Sequence, residues 1–357
     1  MNGKKIPKNV VKSNEKDSIT YQGIPYHAEN EALVLQNLGI TRITDLKGLK
    51  YLNEVEILDL RENQIEKLEG LENLTRLKEL RLTMNCIGRI EGLENLRNLE
   101  GLDLGGNKIE KIEGLETLKL LDRLELQWNK IARIEGLASF ENLVELSIGH
   151  NPIKTIENLD CLEKLEYLYL PNCEIRFLRE IGTLEKLLYL EVQGNRISEI
   201  DPSIGDLKNL KEIYLGDNQL DDIPPAVRKL DGLKILDLTG NPLGNLSEDS
   251  NDYLKRLIDN HCKVTIDPRF HEIQKYIQKF REASKRSGEI TVDNVFDGFP
   301  KLYVWYNLGE IHKFMNVEPS DQEKSDEIVT VLKQMVNRCL IEHKRENSEE
   351  FWRKRFH

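Results

Sequence analysis

The sequence predicts an α/β solenoid: a right-handed stack of about ten short repeats, with a parallel sheet along its concave side and a helical cap or small helical domain at the C-terminal end. Three observations predict it. Asparagines fall at 63, 85, 107, 129 and 151 and again at 195, in steps of 22 residues or a multiple of 22; Asn218 and Asn241 follow at steps of 23. Each closes the same frame, as in Leu77-x-x-Leu80-x-Leu82-x-x-Asn85-x-Ile87, and Cys173 holds the one place where the asparagine is missing. Whole blocks also recur nearly unchanged, from Ile65 to Glu72, Ile87 to Glu94 and Ile109 to Glu116.

The elements follow from the N-terminus onward. Residues 1–18 are polar and Lys-rich with little to bury, so they read as disordered. Residues 19–37 read as an N-terminal cap: Ile19 to Tyr26 suits a short hairpin, and Ala28 to Asn37 reads as a helix covering the first strand. Residues 38–246 are the solenoid. Its first copy is degenerate (Leu33, Leu38, Ile43, Leu46, Leu49), with Thr41 at the ladder position. Each later copy has a short strand such as Leu58-Asp59-Leu60, whose leucines point one way and whose intervening residues point the other. One copy cannot bury its leucines alone, so copies stack and share a core.

The ladder residues Asn63, Asn85, Asn107, Asn129, Asn151, Cys173, Asn195, Asn218 and Asn241 sit just after the strand, where the chain turns sharply. An amide both donates and accepts, so a stacked asparagine satisfies backbone groups that the turn exposes. These positions read as architectural.

The frame matches the leucine-rich-repeat pattern, and the near-identical blocks resemble the 22-residue subfamily typified by the nuclear regulatory subunit of protein phosphatase 1. From Ile197 the spelling changes to Ile-Ser-Glu-Ile-Asp-Pro-Ser-Ile-Gly and then Leu220-Asp-Asp-Ile-Pro-Pro, which resembles the 23-residue class. The resemblance covers residues 33 to 245 and speaks for fold; it implies no particular partner, because these blocks are scaffold positions.

Residues 247–267, with Asp252 to Ile258 and Val264-Thr-Ile266, resemble the family's C-terminal cap. Residues 268–357 read as a helical region. Ile273, Tyr276, Ile277 and Phe280 mark one helix face, and Ile328, Val331, Leu332, Met335, Val336, Cys339 and Leu340 mark a second. Two readings stay open for this region: a small helical domain packed on the last repeats, or a separate partner-binding tail.

Composition narrows the function. Asp and Glu outnumber Lys and Arg by 62 to 51, a formal charge of −11, which argues against a nucleic-acid backbone as the main partner. Uncharged runs are too short to span a bilayer. No secretory signal is visible, and five scattered cysteines (Cys86, Cys161, Cys173, Cys262, Cys339) form neither a disulfide framework nor a CxxC clip. The expectation is a reducing, intracellular, cytoplasmic setting. No Gly-rich phosphate loop and no nucleophile–base set is present; His261-Cys262 with His271 matches no standard metal spacing. No cofactor, metal or catalytic residue is expected; chemistry in the C-terminal region is the alternative, tested by whether residues 268–357 form a polar pocket.

Binding is expected on the concave face. One outward column is Ile57, Glu79, Gly101, Arg123, Glu145, Tyr167, Tyr189, Glu212 and Ile235. Its neighbour is Asp59, Arg81, Asp103, Glu125, Ser147, Tyr169, Glu191, Tyr214 and Asp237. Tyr167, Tyr169, Tyr189 and Tyr214 cluster on three consecutive repeats, with Glu191 and Glu212 at their border and Trp128 and His150 at the edge. Tyr and Trp are enriched at binding hot spots, and carboxylates favour a protein partner presenting Lys or Arg. The competing reading is that aromatics simply suit strands. The function predicted is an interaction scaffold; a regulatory subunit of a phosphatase or small GTPase is the alternative. On the opposite surface a glutamate column (Glu69, Glu91, Glu113, Glu135) beside a basic column (Lys67, Arg89, Lys111, Arg133) reads as a solvated face of offsetting charges, with an acidic docking ridge as the other reading.

Overall fold

The computed structural model describes residues 18–243 and 246–266. In chain order these hold β1 (Ser18–Tyr21), β2 (Ile24–His27), β3 (Ala32–Val34), β4 (Ile57–Asp59), β5 (Glu79–Arg81), β6 (Gly101–Asp103), β7 (Arg123–Glu125) and β8 (Glu145–Ser147). There follow β9 (Tyr167–Tyr169), β10 (Phe177–Leu178), β11 (Tyr189–Glu191), β12 (Glu199–Ile200), β13 (Glu212–Tyr214), β14 (Ile235–Asp237), α1 (Glu248–Asp259) and β15 (Lys263–Thr265). The helices expected within 268–357 lie outside the described residues, as do His271 and Cys339.

One parallel sheet of 11 strands runs from β3 to β15, each strand pairing with the next repeat's strand. Its middle residues, such as Leu80, Leu102, Leu124 and Leu146, are Cα partners in an unbroken row and are essentially without solvent exposure. The outer arm of each repeat returns through a tight turn: Leu74, Leu96, Leu118, Phe140 and Leu162 each donate a backbone N–H to the carbonyl three residues earlier. Such turns need few residues, so the 22-residue copies carry no convex helix. The longer copies add a short 3-10 turn at Pro202–Asp206, begun by Asp201, whose Oδ1 accepts from the Ser203 N–H at 2.9 Å. That is the physical meaning of the change in spelling after Ile197.

The Glu-Gly-Leu-Glu blocks are explained at Gly92, which has φ +78° and lies so close to the preceding repeat that a Cβ would stand 2.4 Å from the Leu68 carbonyl oxygen. Only glycine satisfies both demands.

The ladder asparagines bond backbone groups of two repeats. The Asn85 amide donates to the Leu60 and Leu82 carbonyls, both at 3.0 Å, and its Oδ1 accepts from the Ile65 N–H at 3.0 Å. Each amide thus ties its own turn to the preceding repeat. At Cys173 the thiol reaches only weakly to the Ile148 and Pro171 carbonyls (3.9 and 3.7 Å), and the Ile153 N–H turns instead to the Asn151 carbonyl at 2.8 Å.

Two expectations at the N-terminal end are corrected. Residues 28–37 are not a helix: Ala32–Val34 is the first strand of the main sheet, in register with Ile57–Asp59. Its leucines Leu33 and Leu35 are fully buried at strand spacing, and the segment is too short and too tightly turned, with positive φ at Asn30, Glu31 and Asn37, to wind into a helix. The ladder position of this copy is therefore Leu38, not the exposed Thr41. With no side-chain amide there, Asn63 of the next copy serves both N–H groups, accepting from Leu38 and Ile40 at 3.0 Å each.

The expected hairpin is present: β1 and β2 pair antiparallel, Ile19 is fully buried, and Thr20 and Lys47 exchange backbone hydrogen bonds of 2.8 and 3.1 Å. At the other end α1 buries Tyr253, Leu254 and Leu257, with the Tyr253 hydroxyl donating to the Leu230 carbonyl at 3.2 Å. This covers core that an open solenoid end exposes to water.

Candidate protein-binding face

The two outward residues of each strand form the columns read from the sequence. Tyr167, Tyr189 and Glu212 are successive partners, and beside them Tyr169, Glu191 and Tyr214. Tyr189 is the centre of the cluster. Its ring centroid lies 4.9 Å from that of Tyr169 and 5.2 Å from that of Tyr214, both across the diagonal, and 6.4 Å from Tyr167 in its own column. The tilted rings, at 35–40°, suit the opposed quadrupoles of aromatic faces and edges.

The reason for the diagonal preference is a hydrogen bond. Tyr189 donates its hydroxyl to Glu191 Oε2 at 2.9 Å, and Tyr214 donates to Glu212 Oε2 at 3.0 Å. Gln193 adds a bond to Glu191 Oε1 at 3.0 Å. The two glutamates do more than border the patch: they hold the rings that form it. Burial, with the adjacent carboxylates, pushes both hydroxyls above the ordinary phenol range, so they remain donors.

Trp128 and His150 stack at the edge of the face, with ring centroids 3.7 Å apart and planes within 10°. Asn172 Nδ2 approaches His150 Nε2 at 3.3 Å. Burial pushes His150 down to about 4, so the ring is neutral at pH 7. Both residues occupy the place before the ladder, where the backbone takes positive φ: 58° at Met84, 60° at Trp128 and 55° at His150, with glycine at 106, 194 and 240. A side chain in this region costs roughly 1–2 kcal/mol relative to glycine. The scaffold does not require Met84 or Trp128 there, and both are about half exposed.

Arginine pairing on this face was not readable from the columns. Arg123 reaches across two strands to Glu79 (2.7 Å) by passing over Gly101, where a Cβ would stand 3.0 Å from its Nη2. Arg81 pairs with the same Glu79, and Arg61 clasps Asp59 through both carboxylate oxygens. Two of the eight acidic residues are therefore matched locally. Asp103 is pushed up to about 6 by burial and by Glu125 beside it, against lowering contributions from Thr83, the Gly105 N–H and Arg61. Gln127, one step past its strand, is buried among them. The reading of two columns passed over Arg61, Thr83 and Gln127 because they lie in a third row, at the start of the turn.

On the opposite surface three of the four basic residues pair with glutamates: Lys67–Glu69 at 3.7 Å, Arg89–Glu113 at 2.8 Å, and Arg133 with Glu157, outside the named glutamate column, at 3.1 Å. Among the described residues no group of three or more His, Cys, Asp or Glu is placed to hold a metal ion, and no helix is long and apolar enough to cross a membrane.

The family described as leucine rich repeat matches residues 185–243, and its two-copy form matches residues 54–95 and 75–117. With the laddered asparagines, this decides the family. The chain is a leucine-rich-repeat protein. Folds of this family generally mediate protein–protein interaction. Among solved structures, internalin C2 of Listeria monocytogenes is 32% identical, over 52% of this chain and 80% of that one, with a TM-score of 0.49. A second internalin of that organism is 25% identical, over 66% and 82%, with a TM-score of 0.45. The leucine-rich-repeat ectodomain of the Arabidopsis thaliana receptor kinase GASSHO1/SCHENGEN3, solved in complex with Casparian strip integrity factor 2, is 22% identical over 62% and 29%, with a TM-score of 0.50. No curated protein matches the sequence significantly.

Proposed function

We propose that this leucine-rich-repeat protein is an interaction scaffold that docks a protein partner with a basic contact surface on its concave face. The observation carrying this reading is the half-buried tyrosine cluster centred on Tyr189 and held in place by Glu191 and Glu212. Pre-ordered aromatic rings desolvate an inserted side chain at little entropic cost, and the two carboxylates offer acceptors to Lys or Arg. Trp128 and His150 extend the surface along its edge.

The test is affinity capture by the full chain, by a Tyr169→Ala/Tyr189→Ala variant and by a Glu69→Gln/Glu91→Gln variant on the opposite surface. A partner retained by the first and third but lost by the second supports the reading. A partner lost only with the glutamate variant places binding on the wrong face.

A further inference from the structure

We propose that the rim of the concave face at Met84, Gly106 and Trp128 takes an aromatic side chain of a protein partner, whose adjoining carboxylate is held by Lys108 and Lys130. The proposal rests on the reading of the chain as a protein-binding scaffold. It adds a separate site, with an acidic ligand where the tyrosine cluster favours a basic one.

The first observation is strain without burial. Met84, Gly106, Trp128 and His150 hold the same place in four successive repeats, all with φ between 55° and 64°. An L side chain rarely adopts this conformation, and glycine occupies the place again at 194 and 240. Met84 and Trp128 nevertheless stand there with 59% and 49% of their surface exposed, so burial within the chain offsets little of the strain. Strain that the scaffold itself does not require points to a contact made with something else.

The geometry gives the shape of that contact. Trp128 and His150 belong to adjacent repeats, and their rings stack with centroids 3.7 Å apart and planes within 10°. Side chains at this place therefore line up along the solenoid, one per repeat, at about the 4.8 Å strand spacing. The next place toward the N-terminus is Gly106, which adds no side chain, and Met84 follows it. A flat ring laid over Gly106 continues the stack from Trp128 and meets the Met84 thioether on its other side. Met84 bounds the notch: where a Cβ of Gly106 would stand, the three nearest atoms are Met84 N, Cγ and Cα at 3.3, 3.4 and 3.5 Å.

Charge comes from the residues beyond. Lys108 and Lys130 each lie one residue past a ladder asparagine, on adjacent repeats, and both are exposed. Neither takes part in an ion pair among the described residues. Asp103 and Glu125 lie on the strand side of the same rim, on β6 and β7. A partner carboxylate is thus drawn to the lysine side of the notch and repelled from the strand side. An aromatic residue next to an aspartate meets both demands.

The test uses the full chain and three probes: the Nα-acetylated dipeptide amides Phe-Asp, Phe-Asn and Ala-Asp. The Met84 methyl and Trp128 indole N–H resonances are followed by NMR. Phe-Asp is expected to shift both saturably, Phe-Asn to bind about fivefold or more weakly, and Ala-Asp not to shift them. Lys108→Gln/Lys130→Gln is expected to abolish the preference for Phe-Asp over Phe-Asn. Met84→Gly gives the turn the residue used at 106, so it should weaken Phe-Asp about fivefold or more without lowering the thermal midpoint. No saturable shift, equal binding of Phe-Asn, a preference that survives loss of both lysines, or a lowered midpoint in Met84→Gly would each overturn the assignment. The probes carry no cationic group and report on the rim alone, so failure here is distinguishable from failure of the Tyr169→Ala/Tyr189→Ala capture.

Discussion

Cys173 shows what the ladder asparagine does by lacking it. Its thiol leaves the Ile153 N–H to a local carbonyl, whereas the equivalent Ile131 N–H is served by Asn151 Oδ1 at 2.9 Å. Cys173→Asn is therefore expected to stabilise the chain by ~1 kcal/mol, and Asn107→Ala to destabilise it by ~1–3 kcal/mol, read from denaturant unfolding. A Cys173→Asn chain that is less stable would mean the turn has closed around the sulfur. His150 gives a pH signature. Its folded-state value of about 4 lies below the ordinary 6.5, so the unfolded chain takes up the proton first. The stability it contributes is present above about pH 6.5 and lost as the pH falls toward 4. Titration of the ring by NMR should give a midpoint well below 6.5, and a normal midpoint would show that Trp128 does not cover it. The sequence puts both residues just before their ladder asparagines. It could not show the stack, since the shared positive φ that aims the two rings is a property of the turn.

The strands and turns were read well where the repeat is strict, because a buried leucine row admits one register. Leu104→Ala is expected to cost ~2–5 kcal/mol by opening a cavity in that row. The first repeat was misread for the same reason in reverse. With Leu38 in place of asparagine, the frame gave no marker, and Ala32–Val34 lacked the flanking pattern that identifies the other strands. Gly101 was placed in its column, but a glycine says nothing of what crosses over it. The Arg123–Glu79 pair spans two strands and emerges only when the sheet is assembled. Gly101→Val should separate that pair without touching the leucine core. A crystal structure of the variant retaining the contact would contradict this account of the glycine.

Taken as a whole, the solenoid separates its two surfaces by the pattern of pairing. On the outer arm Lys67, Arg89 and Arg133 are each answered by a glutamate of the same or next repeat, and these pairs, being exposed, are worth little. On the concave face the arginines are confined to the N-terminal strands, which leaves acidic residues and tyrosines together further along. That asymmetry was visible in the two columns; the hydrogen bonds that lock Tyr189 and Tyr214 were not, because they depend on the lean of side chains across the sheet. The most direct measurement is the affinity of a captured basic partner, by calorimetry, for the full chain and for Tyr169→Ala/Tyr189→Ala. The account predicts a loss of roughly 2 kcal/mol or more, about thirtyfold in Kd, with little change in the thermal melt, because these rings point away from the leucine core. Equal affinities, with the partner still bound on the repeats, would contradict it.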